Sequence, residues 1–145
     1  MKSKSNKTAA GKLPKHVLVV EDDAILSMTI EDALSDAGVA KVELCSSTEQ
    51  ALDALRRKRP DVIVLDVHLA DRDDGWAVAE LVRTLGPEAP RIVFSTGAPQ
   101  DIPEEIAALG CVLEKPYDSA VLVKLLGEPE RTGIISRLRG ALGAR

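Results

Sequence analysis

The sequence predicts a doubly wound α/β domain, with five parallel strands alternating with five helices in the sheet order 2-1-3-4-5. Three observations carry this expectation. The continuous apolar runs Val17-Leu18-Val19-Val20 and Val62-Ile63-Val64-Leu65 mark short strands buried on both faces. Segments with apolar residues at helical spacing separate such runs. Acidic, hydroxyl and lysine residues follow the runs directly, at the carboxyl ends of the strands where sheets of this kind keep their sites.

The first strand begins at His16 and leads into a helix over 24–37, with Ile25, Leu26, Ile30, Ala33 and Leu34 at helical spacing and Gly38 as its C-cap. A second strand is expected over 41–45. A helix then starts at Ser47 or Thr48 and runs to about 58, turning Ala51, Leu52, Ala54 and Leu55 inward, with Pro60 beyond its end. The third strand ends at Asp66. A polar loop over 70–74 precedes a helix over 76–85, and Arg91 to Ser95 reads as the fourth strand. Pro99 and Pro103 leave room only for a helix over 103–109, and two turns are marginal without tertiary support. The fifth strand, 111–113, and a helix over 119–126 complete the alternation. Right-handed crossovers leave few arrangements for such an order.

A chain of 145 residues fits one domain, which would bury about two thirds of its unfolded surface. With 45% hydrophobic and 29% charged residues, it has the composition of a soluble globular protein. No apolar run approaches the roughly 18 residues of a transmembrane helix, and no apolar segment follows the positive N-terminus, so neither membrane insertion nor a signal peptide is expected. Cys45 and Cys111 stand apart among apolar residues and read as reduced core thiols, which makes the cytoplasm the expected compartment.

The net charge of −4 is unevenly distributed: residues 1–15 carry +5, residues 127–145 carry +2 and residues 16–126 carry −11. The positive charges have no aromatic residues between them, and the acidic core argues against a nucleic-acid partner. Residues 1–14 are expected to be a flexible basic tail and 15–127 the folded domain. In 128–145, Ile134, Ile135, Leu138 and Leu142 recur at helical spacing between arginines. This tail is either a short amphipathic helix or disordered, and is too short for a DNA-binding domain.

Glu21, Asp22 and Asp23 follow the first strand, Asp66 ends the third, Ser95 and Thr96 end the fourth, and Lys115 follows the fifth. Two carboxylates about 4 Å apart repel by roughly 4 kcal/mol at an effective dielectric near 20. Clustered acids therefore raise their own pKa values unless a cation sits among them, and an all-oxygen set suits Mg²⁺. Asp66 then reads as a nucleophile for a phosphoryl group, Lys115 as its positive partner and Thr96 as a hydroxyl donor. Taken singly, each acid is as well explained as a helix cap or turn residue. It is their joint placement at neighbouring strand ends that points to chemistry.

Val19-Val20-Glu21-Asp22-Asp23, Val64-Leu65-Asp66-Val67, Phe94-Ser95-Thr96-Gly97 and Leu113-Glu114-Lys115-Pro116 together resemble the four motifs of response regulator receiver domains, the CheY-like proteins of flavodoxin-like fold. The resemblance spans about 15–127. It implies a phosphoacceptor of a two-component phosphorelay rather than an enzyme, with Asp66 phosphorylated by a sensor histidine kinase or a phosphotransfer protein and slowly dephosphorylating itself. It further implies magnesium held by Glu21, Asp22, Asp66 and the backbone carbonyl of His68, with Thr96 as the switch hydroxyl and Lys115 on the phosphoryl group. Asp23 becomes a helix start, and the Lys115–Pro116 bond is expected to be cis.

Several positions depart from that family pattern. Val112 stands where receivers usually carry a Tyr or Phe, Ala70 replaces the usual loop proline, and the loop before Asp74-Gly75 is one residue longer. Phe-Ser-Thr-Gly and the proline-bracketed fourth helix resemble alphaproteobacterial single-domain receivers with a Phe-Ala-Thr-Gly motif, which implies kinases of the HWE class. His68 would stand at the mouth of the site or simply be an exposed loop residue, and Trp76 is expected to be partly buried nearby. Two other readings compete. A haloacid-dehalogenase-type phosphatase would need an aspartate where His68 stands, and a pseudo-receiver would keep the fold as a binding module only.

Overall fold

The computed structural model describes residues 12–68 and 76–129. Its elements run β1 (His16–Val20), α1 (Ala24–Ala37), β2 (Lys41–Cys45), α2 (Thr48–Arg57), β3 (Val62–Asp66), α3 (Trp76–Arg83), β4 (Arg91–Thr96), α4 (Glu104–Ala107), β5 (Cys111–Glu114) and α5 (Ser119–Leu126). The strands form one parallel sheet in the order β2-β1-β3-β4-β5, as the alternation predicts. None of the described helices is long and apolar enough to cross a membrane.

Strand periodicity explains why both faces must be covered. Val17 and Val19 join Val64, Val93, Leu113, Ile30, Leu34 and Leu122 in a core beneath α1 and α5. Leu18 and Val20 join Ile63, Leu65, Phe94, Val112, Leu55 and Val82 in a second core beneath α2, α3 and α4. Each five-residue run is buried along its whole length in β1 and β3, which leaves polar residues nowhere to go but the strand ends. Cys45 and Cys111 are buried thiols outside any disulfide, as expected.

Local signals set the helix boundaries. Asp23 caps α1 by accepting hydrogen bonds from the Ile25 and Leu26 amides, and Gly38 ends it at φ 113°, a conformation that costs glycine little. Ser47 caps α2 through the Gln50 amide. The third helix stops at Arg83 rather than at the expected Leu85, because Gly86 takes φ 73° and opens a 3-10 turn with Pro87. The expected helix over 103–109 shrinks to the four residues of α4. Pro99 opens a separate 3-10 turn ahead of it, Pro103 supplies no amide hydrogen, and the chain must reach Gly110 in time to enter β5.

Gly110 lies so close to β4 that an added Cβ would press on the Ile92 carbonyl oxygen and lie 2.8 Å from the Ile92 Cβ. Because that obstacle is backbone in the middle of the sheet, Gly110→Ala is expected to destabilise the domain by about 1–3 kcal/mol, measured as a lowered urea midpoint with unchanged slope.

Candidate acidic site at the carboxyl edge of the sheet

The strand register determines which side chains meet. Val20 pairs with Leu65, and Asp66 pairs with Ser95, so Glu21, Asp66 and Ser95 stand nearly in a row across three neighbouring strands. Thr96 pairs with Glu114, which brings Lys115 in just beyond. The Lys115 amide donates to the Thr96 carbonyl at 2.7 Å, and the Lys115–Pro116 bond is cis, as expected.

Glu21 and Asp66 are both buried, whereas Asp22 is exposed. One ligand oxygen from each of Glu21, Asp22 and Asp66 lies within 4.8 Å of the others, an arrangement able to hold a cation. The Lys115 ammonium donates to Glu21 Oε1 at 3.0 Å and stands 3.6 Å from Asp66 Oδ2. Asp66 Oδ1 accepts from the His68 amide at 2.9 Å, and Glu21 Oε2 accepts from the Asp23 amide at 3.1 Å.

Burial pushes the Glu21 carboxyl from 4.5 up to about 7, and the neighbouring Asp66 charge adds to that rise; the hydrogen bonds from Lys115 and the Asp23 amide offset only part of it. Burial alone would lower the Lys115 ammonium, but its bond to Glu21 and the charges of Asp66 and Glu21 outweigh that effect and hold its pKa above the ordinary value.

The structure thus gathers Glu21, Asp22, Asp66 and Lys115 into one contact group. Thr96 is buried at the neighbouring strand end, and its Oγ1 accepts from the Ala98 amide at 2.9 Å. The His68 side chain is exposed, with Nε2 3.7 Å from Asp101 Oδ2, while its amide faces Asp66. Trp76 is partly buried against the core, and Val112 is buried within it. Ala70 and Asp74-Gly75 lie outside the described residues. Sequence reasoning passed over Tyr117, whose hydroxyl meets Ser95 Oγ at 2.9 Å. Its signal was weak, since a single aromatic two residues past Lys115 shows no periodicity.

Fold and site define a class: a doubly wound α/β domain with carboxylates and a lysine collected at the carboxyl edge of its sheet. Residues 17–127 match the family model described as response regulator receiver domain, and the chain belongs to that family. It is 34% identical over 109 residues to the response regulator MprA of Mycobacterium sp. (strain KMS), an alignment covering 72% of this chain and 46% of that protein. The chain therefore corresponds to less than half of that relative's length. Among solved structures it resembles a CheY-like receiver domain from Methylobacillus flagellatus, with 28% identity, a TM-score of 0.66, and 75% and 92% of the two chains covered. It also resembles the receiver domain of the sensor histidine kinase PA1611 from Pseudomonas aeruginosa, which carries a magnesium ion in its active-site cleft. There the identity is 28%, the TM-score 0.65, and the coverage 78% and 94%.

The raised carboxyl of Glu21 has a consequence for stability. Below pH 4.5 it is protonated in both folded and unfolded chains; between 4.5 and 7 only the unfolded chain releases its proton, so stability falls as pH rises through this window. Chelator-treated Glu21→Gln, which keeps an acceptor for Lys115, should gain stability relative to wild type across that window, by about 1–3 kcal/mol above pH 7. Urea midpoints on either side of the window measure this, and a wild-type-to-variant difference independent of pH would rule it out.

Proposed function

We propose that this receiver domain accepts a phosphoryl group on Asp66 from a phosphohistidine donor, in a magnesium-dependent reaction, and signals through protein contacts. One observation carries the proposal. The Asp66 carboxylate ends β3 with an ammonium 3.6 Å from one oxygen and two further carboxylates close enough to share a cation with it.

The chemistry follows from the charges. Asp66 attacks phosphorus, the new P–O bond forming as the donor's P–N bond breaks, and the imidazole leaves with the bonding pair. Negative charge spread over the phosphoryl oxygens needs fixed positive partners, and the Lys115 ammonium already stands 3.6 Å from Asp66 Oδ2. The Thr96 hydroxyl, accepting from Ala98, keeps its own proton to donate to a phosphoryl oxygen. The donor set fits magnesium, since every candidate ligand is a hard oxygen and the buried Glu21 carboxyl is strained toward protonation without a cation. Glu21, Asp22, Asp66 and the His68 carbonyl would hold the ion, which supplies charge neutralisation when bound. Slow attack of water on the acyl phosphate would then return Asp66 to its free carboxylate.

The donor is a sensor histidine kinase or a phosphotransfer protein, and the Phe-Ser-Thr-Gly segment favours the HWE class of kinase. Cytoplasm is the compartment in which we place this exchange. A pseudo-receiver is the weaker reading, because acceptor, cation-ligand and lysine positions are all filled.

Intact mass after incubation with acetyl phosphate and magnesium tests the acceptor. The expected outcome is a gain of one phosphoryl group, lost in Asp66→Asn and in the presence of EDTA; a gain that persists in Asp66→Asn would place the acceptor elsewhere. The output is expected at 97–110. A four-residue α4 that follows a proline-opened turn and starts from a proline cap has little stability of its own, so ordering it is an accessible population shift. Hydrogen exchange should show increased protection across 97–110 on addition of magnesium and beryllofluoride, and unchanged protection there would refute this output.

A further inference from the structure

Strand alternation sends the last two residues of β4 to opposite faces of the sheet. Thr96 shares its face with Phe94, in the core beneath α2, α3 and α4. Ser95 shares its face with Val93, in the core beneath α1 and α5. On the Thr96 face the neighbouring strand offers Val112, whose side chain has no polar atom with which to follow a moving hydroxyl. On the other face Ser95 is 1% exposed, and its Oγ meets the hydroxyl of Tyr117 at 2.9 Å.

We propose that the Ser95–Tyr117 hydrogen bond carries phosphoryl occupancy of Asp66 to the α1–α5 face, an inference that rests on Asp66 being the acceptor. Both ends of this bond adjoin residues that a phosphoryl group would engage. Ser95 lies opposite Asp66 in the register and immediately precedes Thr96, whose hydroxyl accepts from the Ala98 amide and would donate to a phosphoryl oxygen. Tyr117 follows Lys115 by two residues, and the Lys115 amide is itself bonded to the Thr96 carbonyl. Displacement of Thr96 and Lys115 therefore pulls on the bond from both sides.

Tyr117 is well placed to pass that displacement on. Its ring packs against the α1–α5 core, and Asp118, the next residue, caps α5 through the Ala120 amide. Leu122, Leu125 and Leu126 of α5 pack in the same core as Ile30 and Leu34 of α1. Burial holds the phenol above its ordinary pKa, so at neutral pH it is an uncharged hydroxyl able to donate or accept. A shift at the ring thus reaches the first turn of α5 without crossing the sheet.

The test uses the full chain, wild type against Tyr117→Phe and Ser95→Ala, each with and without magnesium and beryllofluoride. Fluorine NMR reports complex formation at Asp66, and hydrogen exchange reports residues 117–126. Wild type is expected to change its protection across 117–126 when the complex forms. Both variants should form the complex and lose most of that change, while keeping the response across 97–110. Tyr117→Phe with the full α5 response, or wild type with a bound-fluorine signal and no α5 response, overturns the inference alone. The absence of any bound-fluorine signal in wild type overturns the acceptor reading, and this one with it.

Discussion

The contact on which the site depends joins Lys115 to Glu21, residues 94 positions apart in the chain. Glu21 is buried and close to two other carboxylates, and its carboxyl is pushed toward neutrality. Without a cation beside it, burying that group would be strongly unfavourable. Lys115 provides the cation, but it reaches Glu21 only because β5 runs parallel to β4 and ends where the Lys115 amide can bond the Thr96 carbonyl. The sheet register and the site chemistry are therefore one constraint. A slip of one residue in β5 would turn Val112 and Leu113 to the wrong faces and remove the ammonium from the acids.

That same contact leaves tension in the site. Lys115 divides itself between Glu21 and Asp66, at 3.0 and 3.6 Å, and does not satisfy both. Three carboxylates against one ammonium leave the group net negative, which is a poor place for a phosphoryl group and a good one for a divalent cation. An arrangement of this kind favours binding the cation first and the anion second.

The two faces of the sheet differ in how they can respond to such an event. Beneath α2, α3 and α4 the contact to β5 is apolar, and the adjoining segment is short, turn-rich and held by proline-started 3-10 geometry. Beneath α1 and α5 the contact is a hydrogen bond between a buried serine and a half-buried tyrosine, attached to two longer helices. The first face can order or loosen; the second can transmit a displacement through a rigid element. A receiver with both has two surfaces on which a partner can read one event.

Much of the fold was legible in the sequence because its signals are local. Buried strands need unbroken apolar runs, α1 needs Asp23 and Gly38 at its ends, and covering both sheet faces forces polar residues to the strand termini. The grouping of Glu21, Asp22, Asp66 and Lys115 could be read from that rule alone. Boundaries were less legible where two local signals competed: α3 ends early, ahead of Gly86 and Pro87, and α4 is cut to four residues by the prolines before it and the β5 entry after it. What only the tertiary structure decided are the contacts between residues far apart in the chain: the ammonium shared by Glu21 and Asp66, the raised Glu21 carboxyl and the Ser95–Tyr117 bond. Desolvation and hydrogen-bond geometry depend on how separate elements pack, and no spacing along one strand or helix encodes them.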